Sequence, residues 1–243
     1  MDVVKSVIVW ILGICFMVIL FPATLIIWLI VLPFDRERYV IHRVLMYQSF
    51  LLVKLIPIWK IKIEGKEKAV KGTTYVIISN HQSVLDILFI NSLLYRYKWI
   101  SKIENIGVPV LGWYLRMADY ITVNRGDELS KTKMLEKSYM CLSRGISVMI
   151  FPEGTRSHDR EIGFFKRGAF QLALEANVPV LPIVIDGTGG ILPKHGLVFG
   201  SGHYVTIRIL DPVEPSSFTS DNPVELSEEF RLLLTSELQK LRS

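Results

Sequence analysis

The stretch Ser79-Asn80-His81-Gln82-Ser83-Val84-Leu85-Asp86 sets a histidine just beyond the apolar run Tyr75 to Ile78 and an aspartate five residues further on. A histidine, with an ordinary pKa near ~6.5, can take up or release a proton at neutral pH, and a carboxylate that holds its ring makes it a directed base. Five residues along a continuous helix would separate the two side chains by about 140°. His81 is therefore expected in the turn before a helix, folded back toward Asp86. The same residues have a plainer reading: Ser83 and Asp86 are spaced like a capping box, with Asp86 serving the helix start and His81 a hydrogen-bonded structural residue. Convergence of further polar groups would separate the two.

Two more clusters follow apolar runs. Glu153-Gly154-Thr155-Arg156-Ser157 comes after Val148 to Phe151, with Lys166 and Arg167 shortly beyond, and Asn124-Arg125 comes after Tyr120 to Val123. A guanidinium offers phosphate oxygens a planar fork of donors. Glu153 and Arg156 could equally form a local ion pair, and Arg125 or Lys102, taken singly, a solvated surface charge. No Gly-x-Ser-x-Gly elbow occurs, no cysteine stands in such a position, and no zinc spacing is present; Gly187 to Leu192 lacks the third glycine of a dinucleotide loop, having Leu192 in its place. Neither metal nor cofactor is expected. A His-Asp pair without a protein nucleophile can still activate the hydroxyl of a bound substrate, and the reaction is then group transfer.

These residues need a scaffold that brings them together. Apolar runs at 75–78, 120–123, 148–151 and 180–185 alternate with helical patterns at 84–94, 130–142 and 168–175. That alternation predicts an α/β fold, a largely parallel (mixed) sheet flanked by helices, whose strands end on one ligand-binding rim. Trp59 to Glu64 reads as a half-buried strand closed by Gly65, His203 to Leu210 as an edge strand, 211–224 as a loop and Pro223 to Leu241 as a closing helix.

Ahead of this domain, Val7 to Phe34 carries no charge. As a helix it would measure roughly 42 Å, more than the ~30 Å hydrocarbon core of a bilayer. Pro22 near its middle predicts a kink or break, so one tilted span and two half-inserted helices both fit. The run exceeds a usual signal core and no small-residue cleavage site follows, which reads as a retained anchor. Tyr39 to Ile58 reads as a second helix lying on the bilayer, or as an amphipathic helix packed on the domain. Residues 1–58 are thus expected to anchor the chain and 59–243 to form the catalytic domain. If the segment spans, Arg36, Arg38, Arg43 and Lys54 against Lys5 place that domain on the cytoplasmic face of the membrane. The net charge of +5 suits an anionic bilayer and phosphate-bearing substrates. No basic run interleaved with aromatics points to nucleic acid. Cys15 and Cys141 suggest no disulfide framework.

In order, the chain carries "NHQSVLD", "ITVNRGD", "FPEGTRS" with "FKRGAF", and "VPVLPIVI". Together these resemble the four ordered motifs of the glycerolipid acyltransferases of phospholipid synthesis, over roughly Ile61 to Thr188. Thr155 in "EGTR" is similar to the 1-acylglycerol-3-phosphate acyltransferases, whereas the glycerol-3-phosphate branch tends to carry a second glycine there. The resemblance implies His81 as general base, Asp86 orienting it, and Glu153, Gly154, Thr155 and Arg156 with Arg125 binding the glycerol phosphate. Lys102 is assigned a polar role near the thioester oxygen, where charge develops. The implied acceptor is lysophosphatidic acid, the donor acyl-CoA or acyl-acyl carrier protein, and the product phosphatidic acid. The same base could also serve another lysophospholipid, glycerol-3-phosphate or an amino-lipid.

Overall fold

The computed structural model describes residues 3–201 and 203–243; the first two residues of the expected anchor lie outside them. In chain order it comprises helices α1 (Val3–Val31) and α2 (Tyr39–Leu55), strands β1 (Lys60–Glu64) and β2 (Val76–Ser79), and α3 (Leu85–Asn91). There follow β3 (Tyr97–Lys102), α4 (Leu111–Met117), β4 (Ile121–Val123), α5 (Glu128–Ser143) and β5 (Ser147–Ile150). The chain continues through α6 (Gly168–Ala176), β6 (Val180–Asp186), the short α7 (Thr188–Ile191), β7 (Tyr204–Ile209) and α8 (Pro223–Arg242).

The sheet order is β1-β7-β6-β2-β5-β3-β4. The block β6-β2-β5-β3-β4 is parallel throughout, and β7 runs antiparallel to β6 with β1 parallel to β7. The mixed α/β sheet expected from the sequence is therefore present. Strand alternation feeds two cores. Ile77, Leu181, Ile183 and Ile185 face the layer of α2 and α3, while Val76, Ile78, Val180 and Val184 face α5, α6 and α8. Because both faces are covered, the central strands read as unbroken apolar runs.

Four elements differ from the sequence reading. β7 is not an edge: it lies between β6 and β1, and its polar face is closed by Arg208 bonding Glu64 and Glu237. β3 and α4 were not expected at all. β3 carries a buried Lys98 in mid-strand, its ammonium donating to the Ala118 carbonyl at 2.6 Å, and that lysine hides the strand from a hydropathy reading. α2 packs on the domain rather than only lying on a bilayer: Met46 and Val53 join the core beneath β2 and β6. His42, read as part of a polar face, is buried between the Tyr120 hydroxyl at 2.8 Å and the Tyr95 carbonyl at 3.0 Å. Burial, above all, pulls its pKa down to about 4, so the ring is neutral.

α1 runs unbroken through Pro22 and is long and apolar enough to cross a membrane. One stripe of it is docked along its length. Ser6 Oγ accepts from the Phe199 N–H, Trp10 Nε1 donates to the Leu197 carbonyl, the Tyr114 hydroxyl donates to the Met17 carbonyl, and Gln48 donates to Thr24 Oγ1. Phe21, Trp28 and Val31 pack against Ile41, Tyr114 and Ala118. Val4, Ile8, Ile11, Ile19 and Ile30 face outward, as do Tyr47, Leu51 and Leu55 of α2.

Candidate active site

The carboxyl ends of β2, β3, β4, β5 and β6 lie on one rim because these strands are parallel. The polar clusters that follow β2, β4 and β5 are thereby gathered, as the alternation of strand and helix predicts. Asn80, the first residue past β2, is buried and locks that end: its amide donates to the Ile185 carbonyl at 2.8 Å and accepts from the Ile185 N–H at 2.9 Å. In effect Asn80 imitates one more rung of the β2–β6 ladder with a side chain, and His81 is set just past a fixed point.

His81 folds back onto Asp86, its Nδ1 lying 2.8 Å from Oδ2. The fully buried Asp86 also accepts, on Oδ2, the N–H groups of Gln82 at 2.7 Å and Ser83 at 2.9 Å, and on Oδ1 the hydroxyl of Thr188. It therefore staples the start of α3 and holds the histidine at once, so both readings of the spacing apply. With the carboxylate accepting from Nδ1–H, the Nε2 lone pair is the basic one. Phe151 stacks on the imidazole at 3.9 Å between centroids with 5° between planes, which fixes the ring plane. Among the described residues no group bonds Nε2, and the side chain is 13% exposed, enough for a hydroxyl to reach it.

Glu153 does not pair with Arg156. Its Oε1 accepts the His81 N–H at 2.8 Å and its Oε2 the Gly163 N–H at 3.0 Å, which ties the loop after β5 to the loop after β2. The Ser157 N–H closes the tie by donating to the His81 carbonyl at 2.8 Å. Burial pushes the Glu153 carboxyl up to about 7; the two N–H groups and the Lys194 charge pull the other way, and the Asp86 charge adds to the rise. Gly154 has φ +68°, which favours glycine in this turn; a Cβ there would come within 2.9 Å of Lys166 Nζ, the mobile end of a side chain that can shift aside.

Around this centre the cations fall into groups. Arg125 is half-buried, its pKa lowered by burial and partly restored by Glu104. Lys166 is lowered by burial and then by Arg125 and Lys131, which places these positive charges near one another. Lys102 ends β3 on the same rim, but its ammonium is held 2.9 Å from Glu104 rather than turned to His81. Thr155 is exposed and Arg156 half-buried, and neither is held by a hydrogen bond from the described residues. The structure thus joins His81, Asp86 and Glu153 directly, sets Lys166 against Gly154, and links Arg125 to Lys166 by charge.

The family model named Acyltransferase matches residues 60–186, which spans every group just described except Thr188 and Lys194. The chain belongs to the acyltransferase family. It is 40% identical over 164 residues to the chloroplastic 1-acyl-sn-glycerol-3-phosphate acyltransferase BAT2 of Brassica napus, covering 67% of this chain and 47% of that one. It is 33% identical over 200 residues to 1-acyl-sn-glycerol-3-phosphate acyltransferase alpha of Homo sapiens, covering 81% and 70%. The chain spans about half the length of the plant relatives it matches. The crystal structure of the 1-acyl-sn-glycerophosphate (LPA) acyltransferase PlsC from Thermotoga maritima superposes with a TM-score of 0.79 at 24% identity, over 99% of this chain and 97% of that one, and so shares its fold.

Sequence reasoning missed several residues that build this acyltransferase site. Thr188 lay in a segment tested only as a glycine loop, although it follows β6 onto the same rim. Gln82 donates to Asp186 at 3.0 Å, and Asp186 in turn accepts from Arg242 of α8 at 3.0 Å. Arg242 also donates to Glu161 at 2.6 Å and to the Arg160 carbonyl at 2.8 Å, gathering the loop after β5. No local pattern announces Arg242, since its partners lie far away in sequence.

Proposed function

We propose that this acyltransferase moves an acyl chain from a thioester to the 2-hydroxyl of 1-acylglycerol-3-phosphate, yielding phosphatidic acid. The observation that carries the reading is the ring of His81, held at Nδ1 by a buried carboxylate and clamped by Phe151, in a chain without a serine elbow. His81 Nε2 takes the hydroxyl proton as the oxygen attacks the thioester carbonyl. The tetrahedral adduct then expels the sulfur, which leaves as a thiol with the proton returned by the imidazolium. Asp86 keeps the tautomer and stabilises the cation formed in that step. The names of the relatives support 1-acylglycerol-3-phosphate as acceptor. Arg125, Arg156 and Lys166, with the Glu153-Gly154-Thr155 turn, are assigned to its phosphate, and Lys102 to the thioester side. The thioester is acyl-CoA or acyl-acyl carrier protein, consumed as a co-substrate.

Both substrates carry acyl chains, and the reading places the enzyme on a membrane. Contacts from Ser6 to Val31 mean that α1 runs beside its own domain for roughly 38 Å. A helix crossing the whole bilayer would drag those partners with it, so the docking supports α1 lying in one leaflet, with the exposed apolar residues of α1 and α2 toward lipid. The arginines and lysines after α1 support a leaflet with an anionic surface. Chromatography of the product formed with each candidate acceptor tests the assignment. Phosphatidic acid formed from lysophosphatidic acid in preference to other lysophospholipids, glycerol-3-phosphate or an amino-lipid is expected. Preference for any of the others would replace it. Replacing the outward-facing Ile8, Ile11 and Ile19 of α1 by serine should abolish activity on vesicle-borne acceptor, and full activity in that variant would refute the membrane role.

A further inference from the structure

A second basic cluster lies on loops bonded to the 81–83 segment. Lys194 Nζ lies 2.8 Å from His158 Nε2, and the rings of His158 and His195 are 5.3 Å apart. The ammonium donates to the imidazole, which leaves the other nitrogen of His158 as an N–H donor. Among the described residues none of the three forms an ion pair with a carboxylate, whereas Lys68, Lys131, Arg208 and Arg231 are all neutralised locally.

The cluster is tied to the catalytic segment at both ends. His158 follows Ser157, whose N–H donates to the His81 carbonyl at 2.8 Å, so the Cα atoms of His158 and His81 lie within about 10 Å. Lys194 comes two residues after Leu192, whose carbonyl accepts from Ser83 Oγ at 2.7 Å. The other end of the Lys194 loop is pinned to α1, through Trp10 to the Leu197 carbonyl and Phe199 to Ser6. Three basic side chains are thereby kept together on loops bonded to the base's own segment, none of them in an ion pair among the described residues. Beside them Ser157 Oγ is buried without a hydrogen-bond partner among the described residues.

We propose that Lys194, His158 and His195 form a phosphate-binding site for the acyl donor. The inference rests on the transfer reaction proposed above. That reaction joins two phosphate-bearing molecules at one histidine, and the molecule has two separate basic clusters on the loops that follow its rim strands. The acceptor phosphate is joined to its reacting hydroxyl by only a few bonds and belongs with Arg125, Arg156 and Lys166. The donor phosphate sits at the far end of a pantetheine arm, so it needs a site other than the acceptor's, and this cluster offers one. Coenzyme A and a carrier protein present the same phosphate chemistry at that position.

The test compares wild type with the double variant Lys194→Ala/His158→Ala and the milder Lys194→Gln, each checked for an unchanged Tm. Steady-state rates are measured with the thioester that wild type uses, with the matching acyl-pantetheine that lacks phosphate, and with varied lysophosphatidic acid. In the double variant KM for the phosphate-bearing donor should rise about tenfold or more, with KM for lysophosphatidic acid unchanged. With acyl-pantetheine, wild type and variant should coincide. A rise in KM for lysophosphatidic acid instead would make the cluster part of the acceptor site and overturn the proposal. So would unchanged KM for both substrates, or an equal loss with acyl-pantetheine. Should wild type itself release no thiol in response to lysophosphatidic acid with either class of donor, the transfer reaction fails, and that outcome is read from wild type alone.

Discussion

Asp86→Asn separates the charge of Asp86 from its hydrogen bonds. Oδ2 accepts three N–H groups and Oδ1 one hydroxyl. An asparagine that puts its oxygen at the Oδ2 position keeps all three N–H bonds. Its amide nitrogen then faces Thr188, whose hydroxyl can turn to accept. The His81 tautomer is preserved and only the negative charge is lost. At a separation of about 3 Å and an effective dielectric of about 20, that charge is worth roughly 5 kcal/mol to a full imidazolium. With the proton about half transferred in the transition state, roughly 2–3 kcal/mol is lost, or about 30- to 150-fold in kcat. Stability should fall by about 1–2 kcal/mol, because the second N–H of the amide is buried without an acceptor. Adding Thr188→Val removes the acceptor that the amide requires, and the double variant should lose a further ~1–3 kcal/mol of stability and more of its kcat. Acyl-thioester turnover and calorimetric Tm, measured side by side, check both parts. Wild-type kcat in Asp86→Asn would refute the role of the charge. Unfolding of the single variant would refute the orientation.

Other consequences follow from the same contacts. His42, held near a pKa of about 4 against an ordinary 6.5, stabilises the fold fully above pH 6.5, and that contribution, roughly 3 kcal/mol, is lost as the pH falls toward 4. Urea unfolding of wild type and His42→Gln over that range should give a shallower pH dependence for the variant, and identical slopes would contradict the burial argument. Gly154→Ala places a side chain at φ +68° against Lys166 and should cost about 1–2 kcal/mol, read as a lowered Tm with reduced turnover; an unchanged Tm would show the turn to be adaptable. Arg242→Ala releases Asp186, Glu161 and the Arg160 carbonyl together and should cost about 1–2 kcal/mol and several-fold in kcat through Gln82. A loss of stability alone, with kcat intact, would confine Arg242 to holding α8 in place.

Much of this was legible because the parallel strands are buried on both faces. Val76 to Ile78 and Val180 to Ile185 announce themselves as apolar runs, and strand polarity alone then gathers His81, Arg125 and Glu153 on one rim. What escaped reading was whatever breaks hydropathy while being satisfied inside the fold. Lys98 interrupts β3 because its ammonium finds the Ala118 carbonyl. Arg208 makes β7 look solvent-facing, although Glu64 and Glu237 close over it. His42 reads as polar surface in α2 while two tyrosines satisfy it within the core. In the site, Glu153 looked like the partner of Arg156, three residues on; it bonds instead to backbone N–H groups 72 positions before it and 10 after it in the chain, which no local spacing records. Asn80 and Thr188 act likewise across more than a hundred residues.

The central claim is that His81 activates the acceptor hydroxyl for direct transfer. Free thiol release from an acyl thioester, measured for wild type and His81→Ala with and without lysophosphatidic acid, tests it most directly. Release that requires lysophosphatidic acid and vanishes in His81→Ala, at unchanged Tm, is the predicted result. Release independent of acceptor would make the protein a thioester hydrolase, and acceptor-dependent release surviving in His81→Ala would remove the base from the mechanism.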